Sequence, residues 1–467
     1  MSTPADVQAT AQKRAERALA GLQHDRGRLD RIDLYVRGIH AGPYMPRTAN
    51  QEYKLLAKRA VSNFLPMVVA APSQALSVEG YHRSGTSSDA PEWQAGWQAN
   101  SLDARQAAVY RAAITYGHAF TVVLPNRVDR RRPVIRAVSP RCMWAAYTDP
   151  ASDEWPLYAL ELPSLPGSGG LVEGVFYDDT FAYPVAADEE SVTLGDPWAH
   201  GLGVCPVRRF AAQVDLEGRT TGVVEPLIPL QDRINQTVFD LLIAQTYGSF
   251  KVRTVSGMTP PLKRDPETGE PLLDGDGNPV PKPITMDSSR LLMAPEADTK
   301  FGTLDETPLT GFIASLDMSL RHLAVVSQVP PHYLLGDMVN LSAEALAAAE
   351  TTLMRMVDEF KRSFGESWES DMRLCALILG EPGGMDDLAS QVIWKDAESR
   401  SLSQTVDALG KARQMLDVPA RALWTKIPGF TDTDRAGWGE LAAQEDSAAR
   451  LAESLTRAIT PAGPPSG

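Results

Sequence analysis

Acids, histidines and cysteines are the side chains of this chain most able to do chemistry, and their spacing favours turns over catalysis. The string Asp274-Gly275-Asp276-Gly277-Asn278 sets oxygen donors at alternate positions, as at the start of a calcium loop. Such a loop turns on Gly at its sixth position and closes on a bidentate Glu at its twelfth. Pro279 and Thr285 stand there instead, so the string reads as a hairpin tip built from Asp-Gly and Gly-Asn turn chemistry. His24, His40, His82, His118, His200, His322 and His332 never pair at helical ligand spacing, and Cys142, Cys205 and Cys375 match no zinc or redox motif. A phosphate-cradling loop ending in Gly-Lys-Ser or Gly-Lys-Thr is missing, as is a Gly-x-Ser-x-Gly nucleophile elbow. Gly167 to Gly170 lack a flanking strand and helix and read as a surface loop. The expectation is a protein without enzymatic activity, metal or cofactor.

Composition narrows the partners. With 45 basic and 59 acidic side chains the 467-residue chain carries a net charge of −14, the reverse of a protein that grips phosphates. The run Arg127 to Arg132 is the one local exception and reads as a solvated hairpin loop, with nucleic-acid contact as the other possibility. An apolar share of 43% suits a globular protein of several units. The most apolar stretch, Phe64 to Val78, is interrupted by Pro66 and Pro72 and is too short to span a membrane. Neither a secretory signal nor a disulfide framework is expected, which suits a reducing cytosolic setting.

The elements that position these residues follow a definite order. Helices fill the first 60 residues, with Leu29, Ile32, Tyr35 and Val36 on one face and a turn at Gly42-Pro43 as the stop. A strand near Ala75 to Tyr81, a helix ending at Tyr116-Gly117 and a strand Phe120 to Leu124 come next, and strands and turns continue to about residue 225. Leu227, Leu230, Ile234, Val238, Leu241 and Leu242 predict a helix over 226–248. A small insert rich in Pro, Gly, Asp and Lys occupies 249–305, with short strands expected at Phe250 to Val255 and Arg290 to Met293. The next helix is expected from Pro308 to about Ser327, with Thr307 as N-cap, and is ended by Val329-Pro330-Pro331. A loop from His332 to Leu341 then leads to the longest helix, Ala343 to Leu379, with Ser342 as N-cap, Glu344 in the first turn and Gly380 at the stop. Its stripe runs through Leu353, Met356, Phe360, Phe364, Trp368, Met372 and Cys375, and Gly365 marks the place for a kink. Gln391 to Trp394 reads as a strand; short helices follow at about 401–415, 420–426 and 434–459, before a Pro/Gly tail.

Helix, inserted β unit, helix, double proline, loop and long helix is an order that resembles the portal proteins of tailed bacteriophages, in the branch common in siphophages of actinobacteria. The most specific match is Val329-Pro330-Pro331-His332-Tyr333-Leu334-Leu335-Gly336, followed by Asn340, Ser342, Glu344-Ala345-Leu346 and Glu350. Leu34-Tyr35-Val36-Arg37-Gly38, Asn63 to Val69, Leu76 to Tyr81, Trp97 to Asn100, Tyr116 to Phe120, and Glu225-Pro226-Leu227 with Asp232, Asn235 and Asp240 agree in order. Where this branch often has Trp, Phe64 stands, and the insert matches only in position and character.

The resemblance implies an α+β, mainly α, fold assembled as a ring. Residues 1–225 would form the N-terminal region and wing. Stem helices at 226–248 and 306–328 would flank a clip at 249–305. A tunnel loop at 329–341, a long helix and wing return at 342–395, and a helical crown with a C-terminal tail at 396–467 would complete the subunit. The implied assembly is a dodecamer at one capsid vertex of the virion, built in the host cytoplasm. It would conduct double-stranded DNA in packaging and ejection without tight binding. The implied partners are terminase, a head-tail adaptor, and major capsid and scaffolding proteins, with no membrane. Gly336, Asn340 and Ser342 become DNA-facing candidates of the tunnel loop, although Ser342 also suits a plain helix cap; Glu344 and Glu350 become helix-dipole or inter-subunit candidates. Lys263, Arg264 and Lys282 become docking candidates in the clip. A non-conducting capsid scaffold is the alternative reading.

Overall fold

The computed structural model describes residues 4–46, 51–84, 90–165, 170–248, 253–256, 262–275, 277–282, 300–303, 308–336, 343–381, 383–395, 402–424, 427, 437–439 and 441–442. Two compact units are present, residues 1–392 and 393–467.

The first unit begins with α1 (Pro4–Val36), followed by α2 (Gln51–Arg59), α3 (Leu65–Gln74), β1 (Val78–His82) and α4 (Leu102–Tyr116). Helix α1 stops earlier than the Gly42-Pro43 turn expected from sequence. Gly38 adopts φ +68°, its N–H bonds to Tyr35 O at 3.1 Å, and Asn63 Nδ2 donates to the carbonyls of Tyr35 and Val36. A left-handed glycine plus a side-chain donor satisfies the last carbonyls and leaves nothing to propagate the helix. Gly117, at φ +98°, ends α4 in the expected place.

The strands are β2 (His118–Pro125), β3 (Pro133–Val138), β4 (Met143–Ala146), β5 (Tyr158–Glu161), β6 (Val172–Tyr177), β7 (Phe181–Ala187), β8 (Val192–Leu194), β9 (Trp198–Ala199) and β10 (Val207–Ala211). One sheet has the order β10-β2-β3; the other runs β4-β5-β6-β7-β8, with β9 also paired to β7. Small residues let α1 lie close on the larger sheet: Ala11, Ala15 and Ala18 pack with Leu160, Phe176 and Val185 in one buried cluster. A second cluster joins Phe120, Val122 and Val207 of the smaller sheet to Met143, Ala159 and Tyr177 of the larger.

Next come α5 (Ile228–Gly248), the paired strands β11 (Arg253–Ser256) and β12 (Lys300–Thr303), α6 (Thr310–Ser327), α7 (Pro331–Leu335) and α8 (Ala343–Leu379). Three details bear on the sequence reading. Helix α6 starts at Thr310, with Leu309 preceding it, and the expected cap Thr307 lies outside the described residues. The strand paired with β11 is at 300–303; the expected strand at 290–293 lies outside the described residues. The segment after the double proline is a short helix at its start: Pro330 takes φ −55° and ψ 132°, and Pro331 opens α7. Proline breaks the helix that precedes it, but its fixed φ favours the first turn of the next.

Helix α8 matches the sequence reading at both ends and runs through Gly365 without a break. Its 37 residues span about 55 Å. Trp368 is fully buried, set edge-on to Trp97, Phe210 and Tyr110, and donates Nε1–H to Tyr110 Oη at 2.9 Å. Ser363 and Ser367 donate to the β10 carbonyls of Ala211 and Arg209 at 2.7 and 3.1 Å, fixing the helix against the sheet.

At the boundary lies β13 (Gln391–Trp394), as expected; the second unit contains α9 (Leu402–Leu416) and α10 (Ala420–Trp424). Most of the helix expected over 434–459 falls outside the described residues.

Candidate functional site

The segment from α5 to the start of α8 holds every candidate residue, so its anchoring comes first. Two buried amides lock the base of α5. Gln231 Nε2 donates to Ser62 O at 2.7 Å and to Asn235 Oδ1 at 2.9 Å, while Gln231 Oε1 accepts from Phe64 N at 3.1 Å. Asn235 Oδ1 also accepts from Ser62 N at 3.1 Å, and Asn235 Nδ2 lies 2.9 Å from His40 Nε2. The His40 ring stacks on Tyr35, whose hydroxyl donates to Asp232 Oδ1 at 2.8 Å. Burial holds His40 below the usual imidazole range, which keeps it neutral and lets Nε2 accept the Asn235 amide. Tyr35, Gly38, Asn63, Asp232 and Asn235, scattered through the matching sequence pieces, therefore meet at one joint. Sequence reasoning missed Gln231 and His40 because polar residues of a helix and a loop carry no periodic signal.

Helix α6 packs along α5, and Arg233 Nη2 reaches His322 Nδ1 at 3.0 Å. Leu320, Leu323 and Ala324 are buried, whereas Ile313, Met318, Val325 and Val326 are 56%, 52%, 73% and 55% exposed.

Past the double proline, Gly336 ends α7 at φ +72° with its N–H on His332 O at 3.0 Å. A Cβ added at Gly336 would meet nothing within 4 Å, so the glycine is needed for its backbone angle rather than for space. Tyr333 donates to Glu350 Oε1 at 3.3 Å, joining α7 to the second turn of α8. Burial, with the Glu350 charge adding to it, pushes the Tyr333 phenol up, so this donor keeps its proton. Glu350 thus has a partner within its own chain. Asn340 and Ser342 lie outside the described residues, as does the side chain of Glu344, whose backbone is in α8.

In the insert, bridges Arg264↔Pro271 and Leu273↔Pro279 close two consecutive turns, both enclosed by the bridge Leu262↔Pro281. Asp274 N bonds to Asn278 O, Asn278 N bonds back to Asp274 Oδ1, both at 2.8 Å, and Gly277 takes φ +82°. The described residues of the calcium-like string close a hairpin tip, as its sequence predicts; Asp276 lies outside them. Lys263, Arg264 and Lys282 are exposed; Arg264 bonds to Gly269 O, and neither lysine has an ion-pair partner among the described residues. Among the described residues no cluster of His, Cys, Asp and Glu is arranged to hold a metal. No helix among them is long and apolar enough to cross a membrane.

Known proteins resemble this chain. Solved chains from the virion of a native gene transfer agent particle and from the neck of an empty gene transfer agent particle share 12% identity with it. They cover 83% and 81% of this chain and 99% and 92% of their own, with TM-scores of 0.43 and 0.42. The portal protein of Mycobacterium phage D29 is 28% identical over 351 residues, 72% of this chain and 69% of the relative. That of Mycobacterium phage L5 is 27% identical over 361 residues, covering 74% and 71%. The profile of the family described as phage portal protein, SPP1 Gp6-like, matches residues 16–456, from within α1 through the joint, the insert and α8, and the chain belongs to that family.

Proposed function

We propose that twelve copies of this chain form the ring at one capsid vertex through which double-stranded DNA is packaged and ejected. What carries the reading is the family match across residues 16–456, which takes in the whole succession of helix, insert, helix, double proline and long helix. In this reading α5 and α6 are the stem beside the channel, and 249–305 is the clip that meets terminase and later a head-tail adaptor. Residues 329–341 are the tunnel loop, 342–395 the long helix and wing return, and 396–467 the crown. Major capsid and scaffolding proteins contact the ring during assembly in the host cytoplasm. The chain works as a structural part, and ATP hydrolysis belongs to terminase.

The charge of −14 supports passage rather than grip. An acidic lining repels phosphates and avoids the counterion-release binding that would stall a moving duplex. Electron microscopy of the purified full chain tests the assembly: rings with an open pore are expected, and a monomer or a closed particle would overturn it. Tight, salt-sensitive binding of free duplex by the ring would overturn the sliding channel. Asn340→Ala is expected to leave rings intact and alter packaging; normal packaging would remove Asn340 from the DNA-facing set. Deleting 274–279 is expected to weaken terminase or adaptor attachment while rings persist.

A further inference from the structure

Two hairpin tips of opposite charge stand at the two ends of β7. The β2–β3 turn is folded tightly: Asn126 Oδ1 accepts from Val128 N at 2.8 Å, and Asp129 Oδ1 accepts from Arg131 N at 3.2 Å. It presents Arg127, Arg130, Arg131 and Arg132 against Asp129 alone, a net charge of +3, and all five residues are exposed. None of the four arginines has an ion-pair partner among the described residues. Arg130 Nη2 donates to Ala199 O at 2.7 Å, and the Arg127 guanidinium lies 5.7 Å from the centroid of the Trp198 ring. Trp198 and Ala199 form β9, which pairs with Ala182 and Phe181, so the basic tip sits beside the first residues of β7. At the far end of β7 the turn from Asp188 to Ser191 joins Ala187 to Val192. Asp188 closes that turn, accepting from Glu190 N and Ser191 N at 2.8 and 2.7 Å. Glu189 and Glu190 are exposed and have no ion-pair partner among the described residues. Strand β7 is seven residues long, so about 20 Å separates the two tips.

That length exceeds the screening distance in physiological salt, so the tips do not neutralise one another within one chain. Each also exposes a large apolar side chain beside its charges. Val128 is 96% exposed at the basic tip; Leu171, which precedes the Val172↔Ala187 pair, is 72% exposed at the acidic one. A head-to-tail contact between copies joins two different patches, and its repetition closes a ring when the rotation allows. We infer that the Arg127–Arg132 tip of one copy docks on the Asp188–Glu190 tip of the next, with Val128 set against Leu171. The inference rests on the ring reading above and adds to it the patches by which neighbouring copies recognise each other. Single exposed ion pairs contribute little to stability, so the opposed charges act chiefly by steering encounter and fixing register. Arginine suits the task because its planar fork of N–H donors matches a carboxylate two bonds at a time. Nucleic acid could meet the same guanidiniums, but it would leave the acidic tip and its leucine without a partner.

Sedimentation of the full chain at low and high salt provides the test, with thermal unfolding in parallel. Arg131→Glu combined with Arg132→Glu reverses the basic tip, and Glu189→Lys combined with Glu190→Lys reverses the acidic one. Each variant alone should associate about tenfold more weakly than the parent at low salt, with a Tm like the parent's, and the loss should shrink as salt screens the charges. Mixing the two variants should restore rings in which they alternate, because every contact then joins opposite charges. A chain carrying all four changes should assemble by itself for the same reason. Such rescue cannot come from a misfolded subunit, so it decides the matter if either variant melts early. A parent that stays monomeric at every concentration overturns the ring reading and this contact with it. Parent rings that neither reversal weakens, or losses that mixing does not repair, overturn the contact alone. So does a reversed basic tip that leaves rings intact and lowers binding of added duplex DNA, which would assign that tip to nucleic acid.

Discussion

Helices α6 and α8 are both rich in apolar residues, but one chain covers only one of them. Along α8, Leu353, Met356, Val357, Phe360, Phe364, Trp368, Met372 and Cys375 are all buried against the sheet and the N-terminal helices. Along α6, Leu320, Leu323 and Ala324 are buried while Ile313, Met318, Val325 and Val326 face outward. The difference separates two uses of the same physics. Helix α8 organises the subunit, and α6 carries more apolar surface than its own subunit can bury, as expected for a face completed by another molecule.

The largest effect should come from α8. Trp368→Ala removes a fully buried indole and its bond to Tyr110, and should cost about 3–5 kcal/mol in denaturant unfolding. A loss under about 1 kcal/mol would mean that α8 is not the organising helix.

Next is the charge that α8 buries. Asp371 is fully buried and accepts from Thr121 Oγ1 at 2.8 Å, near Arg208 of β10 and Arg373 of its own helix. Burial pushes its carboxyl up to about 7 despite those neighbours. The folded state then holds the proton more tightly than the unfolded chain does. This contribution is full below the ordinary carboxylate range, near pH 4, and is lost as pH rises through about 7. Asp371→Asn mimics the neutral form, so the variant should lack this part of the slope between about pH 4 and 7. Parallel pH profiles of parent and variant stability would contradict this assignment.

A smaller loss is expected at the joint. Asn235→Ala strips partners from Ser62 N, Gln231 and His40, at a cost of about 1–3 kcal/mol in the same unfolding measurement. The smallest effect should be on α6. Changing Val325 and Val326 together to Ser should leave subunit stability within about 0.5 kcal/mol while weakening ring formation in sedimentation. Subunit destabilisation comparable to that of Trp368→Ala would erase the contrast between the two helices.

Much of α8 was legible because cap, periodicity and stop agree over 37 residues. The turn at Asp274 to Asn278 was legible for a similarly local reason. Helix α7 was not, because a double proline was weighed only for the helix it ends. Pairing of β11 with 300–303 depends on contacts across the insert, which no local pattern encodes. The Tyr333–Glu350 bond joins residues 17 positions apart, one in α7 and one in α8, which no local spacing pairs. Local chemistry announces caps, turns and stripes; partnerships formed by folding leave no trace in spacing.

The amide joint at Gln231 and Asn235 also has a mechanical meaning. From Asn235 to Gly248 helix α5 extends 13 residues, or about 20 Å at the usual rise. Beyond the joint, Val238, Phe239, Leu242 and Ile243 pack with Leu56 and Ala57 of α2, so the helix is clamped twice, at its base and again along the next two turns. A shift of the segment around Ser62 would therefore meet α2 as a second support before it reached the start of the insert.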